Sequence, residues 1–366
     1  MQIDEDKKIT MLPPYLVKSR VTIMAEVQDF NHKLMNIPCM WKNTRGAGVK
    51  VVVLDTGIPT HPDLKPAFGK SFIDGYLHDK NGHSTHVGGI ISAIADNGMG
   101  VAGIAPDCDV YYGAVLDGAG SGDIKSIING IMWAVDDIGA QVINMSLGIA
   151  AGAGTSRKLQ RACEYAESKG CTVVCAAGNE NGKVGQPAMY DSVIAVAAVN
   201  SEKEHAWFSN TGPEVDFAAG GVDVYSTWLN NGYARLDGTS MATPAITGLV
   251  ALIQADFKNK YNRWPTPGEV RGKMKKIAFD VGPEGYDTTF GFGIPVFGTM
   301  NDTIPDELQK PVPEPVKERN SICGVLGQFI TSAATAIDKG DSVEDAVGTG
   351  IQHASRCWNM NYRKTD

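Results

Sequence analysis

Three segments of this sequence carry side chains that, brought together, could open an acyl bond: an aspartate, Asp55, a histidine in 79–94, and a serine, Ser240. A serine hydroxyl is a poor nucleophile at neutral pH and needs a base to take its proton. Ser240 lies in DGTSMATPAITGLVALI (237–253), at the expected start of a helix over about 240–257, where backbone dipoles favour negative charge. DKNGHSTHVGGIISAI (79–94) holds His83 and His86, and a histidine within hydrogen-bond reach of the serine could act as that base. Asp55, in VVVLDTGIPTHPD (51–63), is placed to hold the imidazole tautomer and stabilise the imidazolium. Singly, each has a plainer role: a turn or cap aspartate, a structural histidine, an N-cap serine. The ordered combination points to catalysis.

The elements that must position these residues are legible as alternating patterns. Short β-branched runs recur at 49–55, 108–115, 141–146, 171–177 and 192–199. Helix-like stretches fall near 84–95, 123–137 and 155–169. Strands apolar on both faces, alternating with helices, predict an α/β fold: a mostly parallel central sheet flanked by helices in three layers. Residues 1–35 read as an N-terminal extension and 36–298 as the catalytic domain. Residues 299–320 read as a linker, because 301–320 carries four prolines and eight charges. In 321–366, Ile322, Val325, Leu326, Phe329, Ile330, Ala333 and Ile337 follow helical spacing, so a helical hairpin is expected.

Val-Leu-Asp-Thr-Gly (53–57), His-Ser-Thr-His-Val (83–87) and Gly-Thr-Ser-Met-Ala-Thr-Pro (238–244) resemble the three active-site signatures of the subtilisin family. The order Asp, His, Ser is also the subtilisin order. The likeness covers roughly 37–298. It implies Asp55 as orienting carboxylate, His83 as base and acid, Ser240 as nucleophile and a structural role for His86; AAGNENG (176–182) resembles a fourth signature, which implies that Asn179, otherwise a turn asparagine, donates to the oxygen on which charge builds during attack. Ser84 departs from the family's usual glycine. The resemblance also implies a cleft. Ser146, Leu147 and Gly148 match the edge that pairs with substrate backbone, Ala176, Ala177 and Gly178 the opposite wall of the primary pocket, and Gly185 its floor, with an apolar or aromatic side chain expected there.

Structural calcium is implied as well. Asp63 and the loop carrying Ile94, Asp96, Asn97, Met99 and Val101 resemble the family's tight site, and Glu214 and Asp216 near Ala188 resemble a weaker one. Leu12-Pro13-Pro14-Tyr15 is similar to the Leu-Ile-Pro-Tyr/Phe segment of intracellular subtilisins, with Pro13 in place of isoleucine. In that group the extension blocks the cleft until cleaved, so an autoinhibited zymogen trimmed near 15–30 is expected.

A net charge of −8 with scattered lysine and arginine gives no nucleic-acid footprint, and no window is apolar enough to suggest a membrane span. The opening residues lack an apolar run of signal-peptide length, and seven cysteines show no metal-type spacing. The expectation is a cytoplasmic enzyme with reduced thiols, acting on protein or peptide substrates, with a homodimer left open. The alternatives are a catalytically silent scaffold on a protease fold, which reaction with a fluorophosphonate probe would separate, and an esterase or ligase using the same residues.

Overall fold

Apolar runs that alternate with helices build one parallel sheet, as expected. The computed structural model describes residues 3–21, 25–73 and 75–298; the linker and helical hairpin expected beyond 298 lie outside the described residues. Strands β1 (Ile9–Thr10) and β2 (Leu16–Val21) precede the single-turn helices α1 (Phe30–Leu34) and α2 (Ile37–Trp41). Then come β3 (Lys50–Asp55), β4 (Pro66–Ser71), α3 (His83–Ser92), β5 (Asp109–Ala114), β6 (Ser121–Gly122) and α4 (Ile124–Trp133). After these lie β7 (Val142–Met145), α5 (Arg157–Ser168), β8 (Thr172–Ala176), β9 (Val193–Val199) and β10 (Val215–Gly220). The antiparallel pair β11 (Val224–Trp228) and β12 (Gly232–Asp237) leads into α6 (Thr239–Tyr261), α7 (Pro267–Ile277), β13 (Ala278–Phe279) and β14 (Ile294–Pro295).

The central sheet has seven strands in the order β10-β9-β8-β7-β3-β5-β4, all parallel. Helix α3 packs with α6, and α4 with α5, so the inner strands are covered and β7, β8 and β9 are buried throughout. From β3 the chain moves toward β5 and β4, and from β7 it moves the other way. The reversal opens a crevice beyond the carboxyl ends of β3 and β7, where such sheets place their ligands. Asp55 ends β3, and Ser146 follows β7.

Local chemistry sets the helix starts. Asp123 accepts from Ser126 N at the head of α4, and Ser156 from Leu159 N at the head of α5. Thr266 and Glu269 close a capping box on α7, with Pro267 in its first turn. Residues of α1, grouped with the extension in the sequence, pack on the sheet: Asn31 exchanges two hydrogen bonds with Gly220, at 3.1 and 2.9 Å.

Candidate active site

Asp55 reaches the crevice because every β3 residue after Lys50 is buried, leaving the carboxylate at the sheet's end with no exposed surface. His83 opens α3 and faces it. Its Nδ1 lies 2.8 Å from Asp55 Oδ1 and 3.0 Å from Oδ2. The N-cap before it is Gly82, at φ +99°, where a Cβ would meet the Trp228 ring at 2.7 Å. Only glycine satisfies both conditions.

A further carboxylate holds this corner. Asp79, buried, accepts from Thr56 Oγ1 (2.9 Å), Asn81 N (3.0 Å) and Gly82 N (2.9 Å) on Oδ1, and from Thr85 N (2.8 Å) and Thr85 Oγ1 (2.6 Å) on Oδ2. It ties the head of α3 to the residue after Asp55. Burial pushes its pKa up, and these donors pull it back. The sequence reading missed Asp79, whose only local sign is its place four residues before His83. Ser84 does not face the cleft: its Oγ donates to Gly57 O at 2.6 Å, adding a second tie to the Asp55 turn. His86 lies behind the site with Nε2 3.2 Å from Val224 O and 3.1 Å from Ala234 O, and burial holds its pKa down at about 3. A neutral ring joining α3 to β11 and β12 matches the structural role expected of it.

Ser240 is the second residue of α6. Pro244 stands in the same helix and has no N–H, so the Ser240 carbonyl lacks its usual helical donor. Ser146 Oγ supplies one at 3.0 Å, and Ser240 Oγ donates in return to Ser146 O at 3.0 Å. Asn144 Nδ2 donates to Ser146 Oγ, and Thr247 Oγ1 to Asn144 Oδ1, so the start of α6 is bolted to β7. The nucleophile candidate therefore points at the Ser146 carbonyl, while His83 Nε2 is buried without a partner. Asn179 is aimed by Thr239, whose N and Oγ1 both donate to its Oδ1 at 2.9 and 2.7 Å; its Nδ2 is thereby turned into the cleft.

Gly148, Ala176, Ala177, Gly178 and Gly185 line one pocket with Glu180 and Asn210, the last two not anticipated. A Cβ on Gly185 would come within 2.0 Å of Ile149 O, so this floor is glycine by necessity. Ser146 and Leu147 are buried beneath this edge.

Residues 46–293 match the Subtilase family. The chain belongs to the subtilase family. It is 44% identical over 252 residues to Subtilisin DY of Bacillus licheniformis, covering 66% of this chain and 88% of that protein. It is 42% identical over 240 residues to Subtilisin Savinase of Lederbergia lenta, covering 65% and 86%. With the Thermostable alkaline protease of Halalkalibacterium halodurans it shares 44% over 240 residues, 65% of this chain and 64% of that longer relative. The enzyme is a subtilisin-like serine endopeptidase.

The cleft of this subtilase is filled by its own N-terminus. Strand β1 pairs antiparallel with β6, and Met11 N and Leu12 N donate to Gly120 O. Gly148 N donates to Met11 O at 2.7 Å, and Pro13 enters the pocket, leaving about 20 Å³. Asn179 Nδ2 donates to Pro14 O at 2.7 Å. The Tyr15 ring lies 5.1 Å from that of His83, its hydroxyl bonds Asn81 Oδ1, and burial raises its pKa to about 12. Strand β2 then runs antiparallel along β12.

Around Asp63 the subtilase offers a fit to one cation. Asp63 is fully buried and its pKa is raised by that burial. Its oxygens take Asn97 Nδ2 (2.5 Å), Val101 N (3.2 Å) and Tyr233 OH (3.2 Å). Glu26 stands beside it, accepting from Asn97 N and Gly98 N. The Asp96 side chain instead pairs with Arg45 at 2.5 Å. Among the described residues no three His, Cys, Asp or Glu side chains converge on one point, so a hard cation here would rely on amide and carbonyl oxygens as well. The Ala188, Glu214 and Asp216 set does not fit a second cation. Asp216 Oδ1 is paired with Arg271 at 2.6 Å, Oδ2 accepts from Ala195 N, and the same guanidinium takes the Asp191 and Val193 carbonyls. Arg271 supplies the positive charge that the site would otherwise lack.

Proposed function

We propose that this subtilase cleaves peptide bonds through an acyl-enzyme on Ser240 and is made with its leader folded into the cleft as an inhibitor. The observation that carries this reading is the Pro14 carbonyl, which occupies the amide that Thr239 aims into the cleft.

In the working enzyme, Asp55 accepts a hydrogen bond from His83 Nδ1–H, which keeps the proton on Nδ1 and leaves the Nε2 lone pair toward the cleft. Ser240 turns from Ser146 O to Nε2, gives up its proton and attacks the substrate carbonyl. The charge that forms is held by Asn179 Nδ2 and Ser240 N–H, and His83 passes its proton to the departing amine. Water then repeats the sequence to release the acid. Residues of the pocket wall are small and favour a large apolar side chain before the scissile bond.

The leader binds out of step. Met11 O on Gly148 and Pro13 in the pocket set one register, yet the carbonyl at Asn179 belongs to Pro14, one residue further on. Neither proline has an N–H to offer the Ser146 carbonyl, so Ser240 Oγ donates there and is drawn away from His83. A substrate with an N–H at this position competes for Ser146 O and frees the hydroxyl.

Calcium belongs to the proposal at one site, where Asp63 and Asn97 would hold it with Glu26 close by; when bound it would supply charge that offsets the repulsion between the Asp63 and Glu26 carboxylates.

Casein digestion by the full chain, beside Ser240→Ala and with the N-terminus followed by mass spectrometry, tests the reading. Activity should require Ser240 and rise as the leader is cut. Full activity from uncut chains would overturn the inhibitor, and digestion undiminished by Ser240→Ala would overturn the nucleophile.

A further inference from the structure

Beyond Pro14 the leader shows where the departing half of a substrate can lie. Leu16 pairs with Asp237 and Val17 with Leu236; after a bulge at Lys18 the ladder continues through Ser19 with Arg235 and Arg20 with Ala234. Strand β12 has β11 on its other side, so β2 occupies its one free edge. That edge runs directly into Gly238, Thr239 and Ser240. An extended peptide whose carbonyl sits at Asn179 would leave along the same edge by backbone pairing, which asks little of sequence.

One side chain in this stretch is recognised. Lys18 Nζ lies 3.1 Å from Asp237 Oδ1 and 3.9 Å from Asp223 Oδ1. The two acids are linked, because Asp223 N donates to Asp237 Oδ1 at 2.7 Å. Asp223 already has an internal cation: Arg235 Nη1 is 3.1 Å from its Oδ2 and 2.9 Å from its carbonyl, and the guanidinium is braced over the Tyr225 ring. Asp237 has no such partner besides Lys18 among these contacts. Of the four charged groups joined here, two acids and two bases, removing the leader takes one base and leaves a net charge of −1. With the leader strand in place the Asp237 side chain is only 11% exposed, so a peptide lying on the same edge would meet it in a site that salt screens less than an open surface charge.

We infer that the β12 edge is an extended substrate site and that Asp237, with Asp223 behind it, selects a basic residue about four positions after the scissile bond. Lys18 holds that place in the leader, four residues after Pro14. The favoured substrates are extended peptides with lysine or arginine there. This assignment rests on the reading of the leader as a cleft-bound inhibitor that leaves.

The test uses the full chain after it has trimmed its own leader. Fluorogenic peptides identical up to the scissile bond carry lysine, alanine or glutamate at the third, fourth or fifth position beyond it, and kcat/KM is measured for each. Lysine should exceed glutamate by about 3- to 10-fold at the fourth position in low salt, the scale of a partly sheltered ion pair, and the ratio should shrink in 0.5 M NaCl (roughly a 4 Å Debye length). In Asp237→Asn the ratio should fall toward one. An active, trimmed enzyme with equal kcat/KM for lysine and glutamate at all three positions overturns the substrate site, whether or not the variant folds. Trimming that leaves activity unchanged overturns the leader reading instead, and hydrolysis of none of the peptides overturns both.

Discussion

Asn179 is fixed on one side by two Thr239 donors and presents its remaining amide to the cleft, so its removal should act in catalysis on the reacting oxygen, with a separate stability cost from the Thr239 donors left unpaired. Asn179→Ala in the trimmed enzyme is expected to lower kcat by about 10²–10³ with KM nearly unchanged, a magnitude that belongs to subtilisin itself. A loss confined to KM would place the residue in ground-state binding. Ser84, which stands where the family usually has glycine, gives a contrasting case. Its hydroxyl is spent on Gly57 O, away from substrate. Ser84→Gly should cost about 1–2 kcal/mol of stability, read as a lower Tm, while kcat/KM changes less than about threefold. The candidate reacting residues could be picked out of the sequence because each sits in a short, chemically distinctive segment. Asp79 and the Ser146–Ser240 exchange were not, because they depend on how separate loops meet at the sheet's end.

At the scale of elements, the strands buried on both faces were the easiest to read: the runs expected at 49–55, 141–146 and 192–199 are strands at Lys50–Asp55, Val142–Met145 and Val193–Val199. Strand β4, PAFGKS, was invisible because it is a largely exposed edge beginning with proline and lacks an apolar pattern. Helix α7 was passed over although Thr266, Pro267 and Glu269 spell its start. The residues of α1 were assigned to the leader because five residues are too few to show a period. Asp29, at the N-cap position of that helix but without a side-chain capping bond, accepts from Tyr225 N on Oδ1 and is buried with Oδ2 unpartnered, and desolvation raises its pKa to about 6. Its folded value lies above the unfolded one of 3.8, so its contribution to stability is present below about pH 3.8 and lost as pH rises through 6. Asp29→Asn removes that penalty. The variant should melt above the parent at pH 8, by up to about 3 kcal/mol, and the two should converge near pH 4. Thermal melts across this range check it, and a gap that widens toward acid would contradict it.

For the whole molecule, two buried histidines act in the opposite sense. Desolvation lowers His32 to about 4 and His86 to about 3, from 6.5. Unfolded chains take these protons as pH falls below 6.5 and folded chains do not, so stability is present above 6.5 and lost toward 4. Each histidine contributes on the order of 3 kcal/mol to that loss by pH 4, and Asp29 offsets about one of the two. The Tm should therefore fall between pH 7 and pH 4, more steeply in Asp29→Asn than in the parent. The Asp63 region adds a second global lever: EDTA should lower the Tm, and a melt insensitive to both EDTA and added calcium would remove the ion from the account. Above both stands the N-terminal segment, which pairs with β6 on one side of the cleft and β12 on the other, with Ser240 Oγ donating to Ser146 O between them; the proposed inhibition is that it holds Ser240 off its base. The direct test is the rate at which a fluorophosphonate labels Ser240 in the uncut chain and again after the leader is cleaved. Slow labelling that becomes fast and falls on Ser240 alone is the predicted result; equal rates before and after cleavage, or no labelling of Ser240 in the trimmed enzyme, would contradict it.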